Sequence, residues 1–260
     1  MEYPGAITYT EKLLPREHNT VGMVSLRGSV ILHELAHMWF GNAVTMKWWN
    51  DLWLNESFAD FVCYQNWFDI RSKLDFETYD AWLQFMTRKG WGYKEDQEST
   101  THAIAGDVGD TTVANNIFDG ITYSKGAATM RQICALVGTE RFFKAIGKYF
   151  HKFQYRNTEL KDLLKVLQEE LNSKACPADK DSKEAPQPQH RAYDLANWEQ
   201  SWLRTAGLNT IKVEWVPNGG KQIVRLHQGA AMTAHPTLRF HRIDIGFFAE
   251  DGSVLQSKEV

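Results

Sequence analysis

No two cysteines in this sequence share a C-x-x-C spacing, and the three present, Cys63, Cys134 and Cys176, cannot all pair within one chain. Cys63 and Cys134 fall in apolar helical stretches and read as core thiols rather than redox centres or ligands. Long apolar runs are missing too: the best stretch, from Val30 to Phe40, is broken by His33, Glu34 and His37, so nothing spans a bilayer. The opening Met-Glu-Tyr-Pro-Gly-Ala lacks the basic and apolar blocks of a secretory signal. The expectation is a chain without a membrane segment, with the cytoplasm favoured. An excess of positive charge is also absent. Lys and Arg number 29 against 32 Asp and Glu, a net charge of −3, which leaves no basic stripe to neutralise phosphates and makes nucleic acid an unexpected partner. What is present is an ordinary globular mixture, 43% hydrophobic and 23% charged over 260 residues. That excludes collagenous or disordered chains and suffices for one large domain, or one domain plus part of another. Small molecules or peptides are the expected partners.

Along the chain, residues 5 to 10 are short, β-branched and aromatic, which suits a strand. From Leu26 to Phe40 apolar residues recur at intervals of three and four and Gly41 follows, which predicts a helix. A second helix is expected from about Leu52 to Ser72, with Asn50 and Asp51 accepting its first-turn amides. A third covers 74 to 90, and 97 to 121 reads as a long polar loop of the kind that lines sites. Helices are expected again from Tyr123 to Val137, from Thr139 to Phe150, and from Asn157 and Thr158 onward with the stripe Leu160, Leu163, Leu164, Leu167 and Leu171. Residues 172 to 190 read as a surface insertion, and a short helix is expected around Trp198 to Ala206. Beyond Gly207 the pattern becomes β, with segments at Ile211 to Trp215, Ile223 to His227, Thr237 to Phe240 and Ile243 to Phe248 between turn signals. The expected fold class is α+β, with a mostly helical domain over 1–206 and a β module over 207–260.

The chemistry is concentrated in His33-Glu34-Leu35-Ala36-His37, an H-E-x-x-H pattern inside a helical segment. At 3.6 residues per turn, His33 and His37 lie about 40° apart around the axis and one turn apart along it, so both imidazoles can reach one metal ion. Glu34 is rotated by about 100°, beside the pair. A catalytic zinc takes three protein ligands and keeps a fourth position open. Glu56, after eighteen intervening residues on the next helix, is the candidate third ligand if the two helices run antiparallel. Read singly, these are core histidines and solvated carboxylates; read as a set, they point to a metal.

The pattern His33-Glu-Leu-Ala-His37 with Glu56, the stretch Trp48-Trp-Asn-Asp-Leu-Trp-Leu-Asn-Glu56, Gly120-Ile-Thr-Tyr-Ser-Lys-Gly-Ala127 and Trp202-Leu-Arg-Thr-Ala-Gly-Leu-Asn-Thr210 resemble, in matching order, the aminopeptidase N family of zinc metallo-aminopeptidases. The resemblance implies a thermolysin-like catalytic domain followed by the start of a β-sandwich, one Zn2+ held by His33, His37 and Glu56, and Glu34 as general base and proton shuttle. It further implies Tyr123 as the phenol that donates to the developing oxyanion. The family's Gly-Ala-Met-Glu-Asn strand is matched only by Met1-Glu2, with Tyr3 in place of Asn, and so implies Glu2 as the anchor of a substrate α-ammonium. Asp60, one turn after Glu56 and facing the same side, is either the acceptor of a ligand histidine's second ring N–H or an exposed helix charge. His102 borders the cleft with no role assigned, and Trp39, Trp48, Trp49 and Trp53 read as core packing around the metal helices.

The implied activity is removal of the amino-terminal residue from peptides with a free amino terminus. Two alternatives remain open: a zinc endopeptidase, and a zinc-binding fragment inactive without flanking domains. The chain reads as the middle of a longer protein, whose open seams would be apolar and favour association.

Overall fold

The computed structural model describes residues 1–14, 20–70, 73, 80–173, 194–219 and 221–259. These form two compact units, Met1–Ala206 and Gly207–Val260. The protein is helix-rich with small sheets.

In the first unit, helix α1 spans Val21–Ala36 and is capped by Thr20, whose hydroxyl accepts from the Met23 amide. It ends earlier than the apolar spacing suggests: His37 is the C-terminal cap, still in helical geometry at φ −62 and ψ −19. The strand β1, Val44–Met46, follows, and then the 3-10 turn Trp49–Asp51 leads into α2, Leu52–Ile70. Asn50 and Asp51 do not serve α2 as expected. Asn50 accepts from the Val108 amide and Asp51 from the Leu160 amide, so both carboxamide and carboxylate staple distant segments to the start of the helix.

Helix α2 is buried nearly all round, from Leu52 through Phe61, which is why it carries little amphipathic signature. It is the central rod of the unit. Helix α3, Ala81–Glu95, is capped by Asp80 and so begins later, and runs further, than 74 to 90; residues 74–79 lie outside the described set. The expected polar loop contains a one-and-a-half-turn helix, α4, Thr111–Asn116, capped by Asp110. Next come a π turn at Ile121–Lys125, α5 at Gly126–Val137 and α6 at Thr139–Phe153. Gly126 lets α5 start against α2: a Cβ there would stand 1.8 Å from the Ser57 hydroxyl.

Asn157 and Thr158 belong to a strand, not a helix start. The strand β2, Arg156–Thr158, pairs in parallel with β1, and α7, Leu160–Asn172, opens two residues later with a reciprocal cap between Glu159 and Asp162. Short strands flanked by caps are hard to separate from helix starts by propensity alone. The stripe Leu160, Leu163, Leu164 and Leu167 is buried; each such leucine contributes about 1.5–3 kcal/mol. Helix α8, Leu195–Trp198, and a π turn at Glu199–Leu203 close the unit. The expected insertion lies almost wholly outside the described residues, as does Cys176; Cys63 and Cys134 are buried free thiols. Residues 5–10 form no strand. Trp53 is fully buried, but Trp39 and Trp48 are about half exposed, 54% and 49%, which corrects their reading as core. Trp48 instead donates its indole N–H to the Val108 carbonyl.

The second unit holds two antiparallel hairpins, β3, Asn209–Asn218, with β4, Lys221–Ala230, and β5, Asp244–Phe248, with β6, Val254–Glu259. Residues 237–240 are not a strand. The Asn209 side chain donates to the Thr237 carbonyl and accepts from the Arg239 amide, so a side chain takes the place of a ladder. Among the described residues no helix is long and apolar enough to cross a membrane.

Candidate metal centre

Helices α1 and α2 bring three ligand atoms to one focus. His33 Nε2 and His37 Nε2 are 3.1 Å apart, and Glu56 Oε2 lies 3.4 Å from the first and 3.5 Å from the second. A tetrahedral metal at roughly 2.0–2.1 Å from N and O ligands requires ligand separations of about 3.3–3.4 Å. The donor set therefore fits one small divalent cation. All three side chains are largely buried.

The far side of each imidazole is tied down. His33 Nδ1 donates to Asp60 Oδ1 at 2.9 Å, and His37 Nδ1 donates to the Phe40 carbonyl at 3.1 Å. With Nδ1 committed as donor, Nε2 is the nitrogen of each ring that faces the focus, and it gives up its own proton when it ligates a cation. Burial by itself lowers His33, but its contacts with Asp60 and Glu56 outweigh this and raise it to about 9. Burial raises Glu56, and the hydrogen bonds from His33 and His37 overcome it, taking the carboxyl down to about 2. The focus is a place where positive charge is stabilised.

Glu34 stands beside the cluster, its Oε2 3.0 Å from the Met1 ammonium. Glu2, Glu34 and His37 also bring ligand-type atoms within 4.8 Å of one another, so the Glu2 carboxylate lies close to Glu34. Asn42 holds this segment by donating to the Glu2 carbonyl at 2.7 Å.

Tyr123 comes from the 121–125 turn. Its ring stacks near His33, with centroids 6.1 Å apart. Burial raises its phenol far above the ordinary range, and the Glu56 carboxylate, which its hydroxyl bonds, raises it further. It is therefore a hydrogen-bond donor at any working pH. Ser57, on α2 one residue after Glu56, donates to the Thr122 carbonyl at 2.5 Å and ties this turn to the ligand helix.

One participant carried no sequence signal. Arg88, on α3, donates from Nε to Asp60 Oδ2 at 3.3 Å and lies over the rings of Trp91 and Tyr123, at 4.7 and 5.6 Å from their centroids. It bridges the carboxylate behind His33 to the tyrosine. No short motif marks a cation that arrives from a third helix.

Fold and site together define a helical domain carrying a two-histidine, one-glutamate metal-binding geometry on adjacent helices. The profile of the peptidase family M1 domain matches residues 1–181, and the chain belongs to that family. It is 38% identical over 264 residues to aminopeptidase N of Streptomyces lividans, a match covering 97% of this chain and 28% of that protein. It is 40% identical over 179 residues to a leucyl aminopeptidase of Saccharolobus solfataricus, covering 68% of this chain and 22% of the relative. With the tricorn protease-interacting factor F2 of Thermoplasma acidophilum it shares 41% over 171 residues, covering 65% and 21%. The chain thus spans less than a third of the length of these relatives.

Proposed function

We propose that this chain carries the catalytic centre of a zinc-dependent aminopeptidase, within a thermolysin-like domain over 1–206 that is followed by the first strands of a β-sandwich over 207–260. The observation that supports this most directly is the ligand triangle of 3.1, 3.4 and 3.5 Å with a further carboxylate, Glu34, at its edge. The names of the relatives, aminopeptidase N and leucyl aminopeptidase, point the same way.

His33, His37 and Glu56 hold the cation. Zinc supplies, when bound, Lewis-acid polarisation and a lowered pKa for water. Glu34 accepts the proton of the attacking water and returns it to the departing amine, both transfers needing only one carboxylate within hydrogen-bond reach. Tyr123, held protonated, donates to the scissile carbonyl oxygen as negative charge grows there. Glu2 receives the α-ammonium of the substrate, and its distance from the cluster selects the first peptide bond. Asp60 keeps His33 in the tautomer that presents Nε2.

The test combines metal stoichiometry with hydrolysis of an amino-acid anilide and of its N-acetylated form. The chain is expected to bind one zinc and to cleave only the free amine, while Glu34→Gln retains zinc and loses turnover by about 100-fold or more. Full turnover in Glu34→Gln overturns the assignment. Equal cleavage of both substrates makes the protein an endopeptidase instead.

A further inference from the structure

The 121–125 turn that bears Tyr123 is too short to hold a ring by its own hydrogen bonds, and the segment from Asp96 to Ala103 grips it at both ends. At the leading end, Asp119 Oδ1 accepts from the amides of Ile121 and Thr122 at 2.9 and 3.1 Å. The Tyr123 amide itself donates to the Asp119 backbone carbonyl at 3.1 Å. The other carboxylate oxygen of Asp119 faces His102 Nε2 at 3.0 Å, and His102 Nδ1 faces the Ala103 carbonyl at 2.8 Å. Carboxylate and carbonyl can only accept, so the imidazolium is the form of His102 that satisfies both partners at once. At the trailing end, Lys125 Nζ meets the buried Asp96 at 2.6 Å, and Thr101 donates to the same carboxylate at 2.6 Å. Helix α3 closes on the turn as well: a Cβ on Gly92 would stand 2.9 Å from the Gly120 carbonyl.

Asp119 is the movable part of this clamp. The Asp119 carboxylate can swing about its side-chain bonds, and a partner on its second oxygen restrains that swing while the first takes the two amides. His102 is that partner. Without it, the cap slackens, the turn relaxes, and the phenol leaves its place beside Glu56 and His33. We propose that His102 is a positioning residue for Tyr123, acting through Asp119 to set where the phenol stands at the candidate metal centre. This rests on the reading of Tyr123 as the oxyanion donor. A charge-assisted pair suits the task because it is shorter and stronger than a neutral hydrogen bond; burial lowers His102, and its bonds to Asp119 and Ala103 outweigh that to raise it.

The decisive measurement uses the full chain labelled with 3-fluorotyrosine, in which the Tyr123 resonance is identified by its loss in Tyr123→Phe. His102→Ala is expected to move that resonance at unchanged zinc stoichiometry and helix content. His102→Gln, whose amide can donate to Asp119, restores it. If His102→Ala does not fold, Asp119→Asn reads the same resonance and is expected to move it. In turnover, His102→Ala lowers kcat about 10-fold with KM held, and adds nothing in a Tyr123→Phe background. An unmoved resonance in the folded variant, or a His102→Ala loss that multiplies in full with that of Tyr123→Phe, overturns the proposal. Full turnover in Tyr123→Phe with a resonance that still moves leaves His102 as a positioning residue and overturns the oxyanion role of Tyr123 instead.

Discussion

The candidate ligand cluster and the tyrosine turn converge on the same few ångströms but are built in opposite ways. His33 on α1 and His37 at its C-terminal cap take their spacing from one helical turn, and Glu56 rides on the long helix α2 packed against α1. Tyr123 rides on a five-residue π turn held by Asp119, His102, Ser57 and the Lys125–Asp96 pair, from segments scattered over the unit. Local geometry and the packing of two long helices specify the first. Long-range polar contacts specify the second, so it is the part that single distant substitutions can loosen.

Removing a ligand strikes the rigid half hardest. Glu56→Ala is expected to leave the chain without stoichiometric zinc after dialysis, a loss of well over about 100-fold in affinity; retention of zinc at wild-type strength breaks the comparison at its root. Tyr123→Phe addresses the other half. It should keep zinc and lose about 100-fold or more in kcat, a separation of binding from turnover that stoichiometry and kinetics on one preparation can check.

A smaller effect is expected behind the ligands. Asp60→Asn weakens zinc by about 10- to 100-fold, because the acceptor 2.9 Å from His33 Nδ1 becomes a neutral amide oxygen and Arg88 loses its carboxylate; competition with a chelator measures it. Smallest is the pH dependence of the clamp. His102, facing Asp119 and Lys125, is raised, so its contribution to stability is complete below its ordinary 6.5 and disappears as pH climbs through the raised value. Asp119 is lowered, burial opposing and His102 prevailing, so its contribution is complete above 3.8 and disappears as pH falls through the lowered value. The denaturant midpoint of the chain should therefore exceed that of His102→Gln most between 3.8 and 6.5. The difference, on the order of 1 kcal/mol or less for such partly exposed groups, should shrink on the alkaline side.

The histidine pair was legible because four residues make about one helical turn, and the stripe of α7 because leucines at that period bury one face. Asp60 was legible for the same reason, one turn beyond Glu56. Arg88 and the partnership of His102 with Asp119 were not, since each joins residues with no shared period, 28 and 17 positions apart. Asn50 and Asp51 looked like caps of the next helix, and their side chains reach Val108 and Leu160 instead. The pair β1 and β2 escaped notice because three-residue strands more than a hundred positions apart carry no alternation to read. In the second unit, Thr237 to Phe240 has strand-forming residues, but Asn209 occupies the backbone groups a neighbouring strand would have used.

By itself the sequence determined the helices and the angular placement of His33, Glu34 and His37, since those follow from backbone geometry within one turn. Only the tertiary structure decided that Glu56 Oε2 lies within 3.5 Å of both rings, that Asp60 meets His33 and Arg88 together, and that Tyr123 faces the same focus. Those distances depend on how separate helices pack and on which charges are buried between them, and burial belongs to the folded whole.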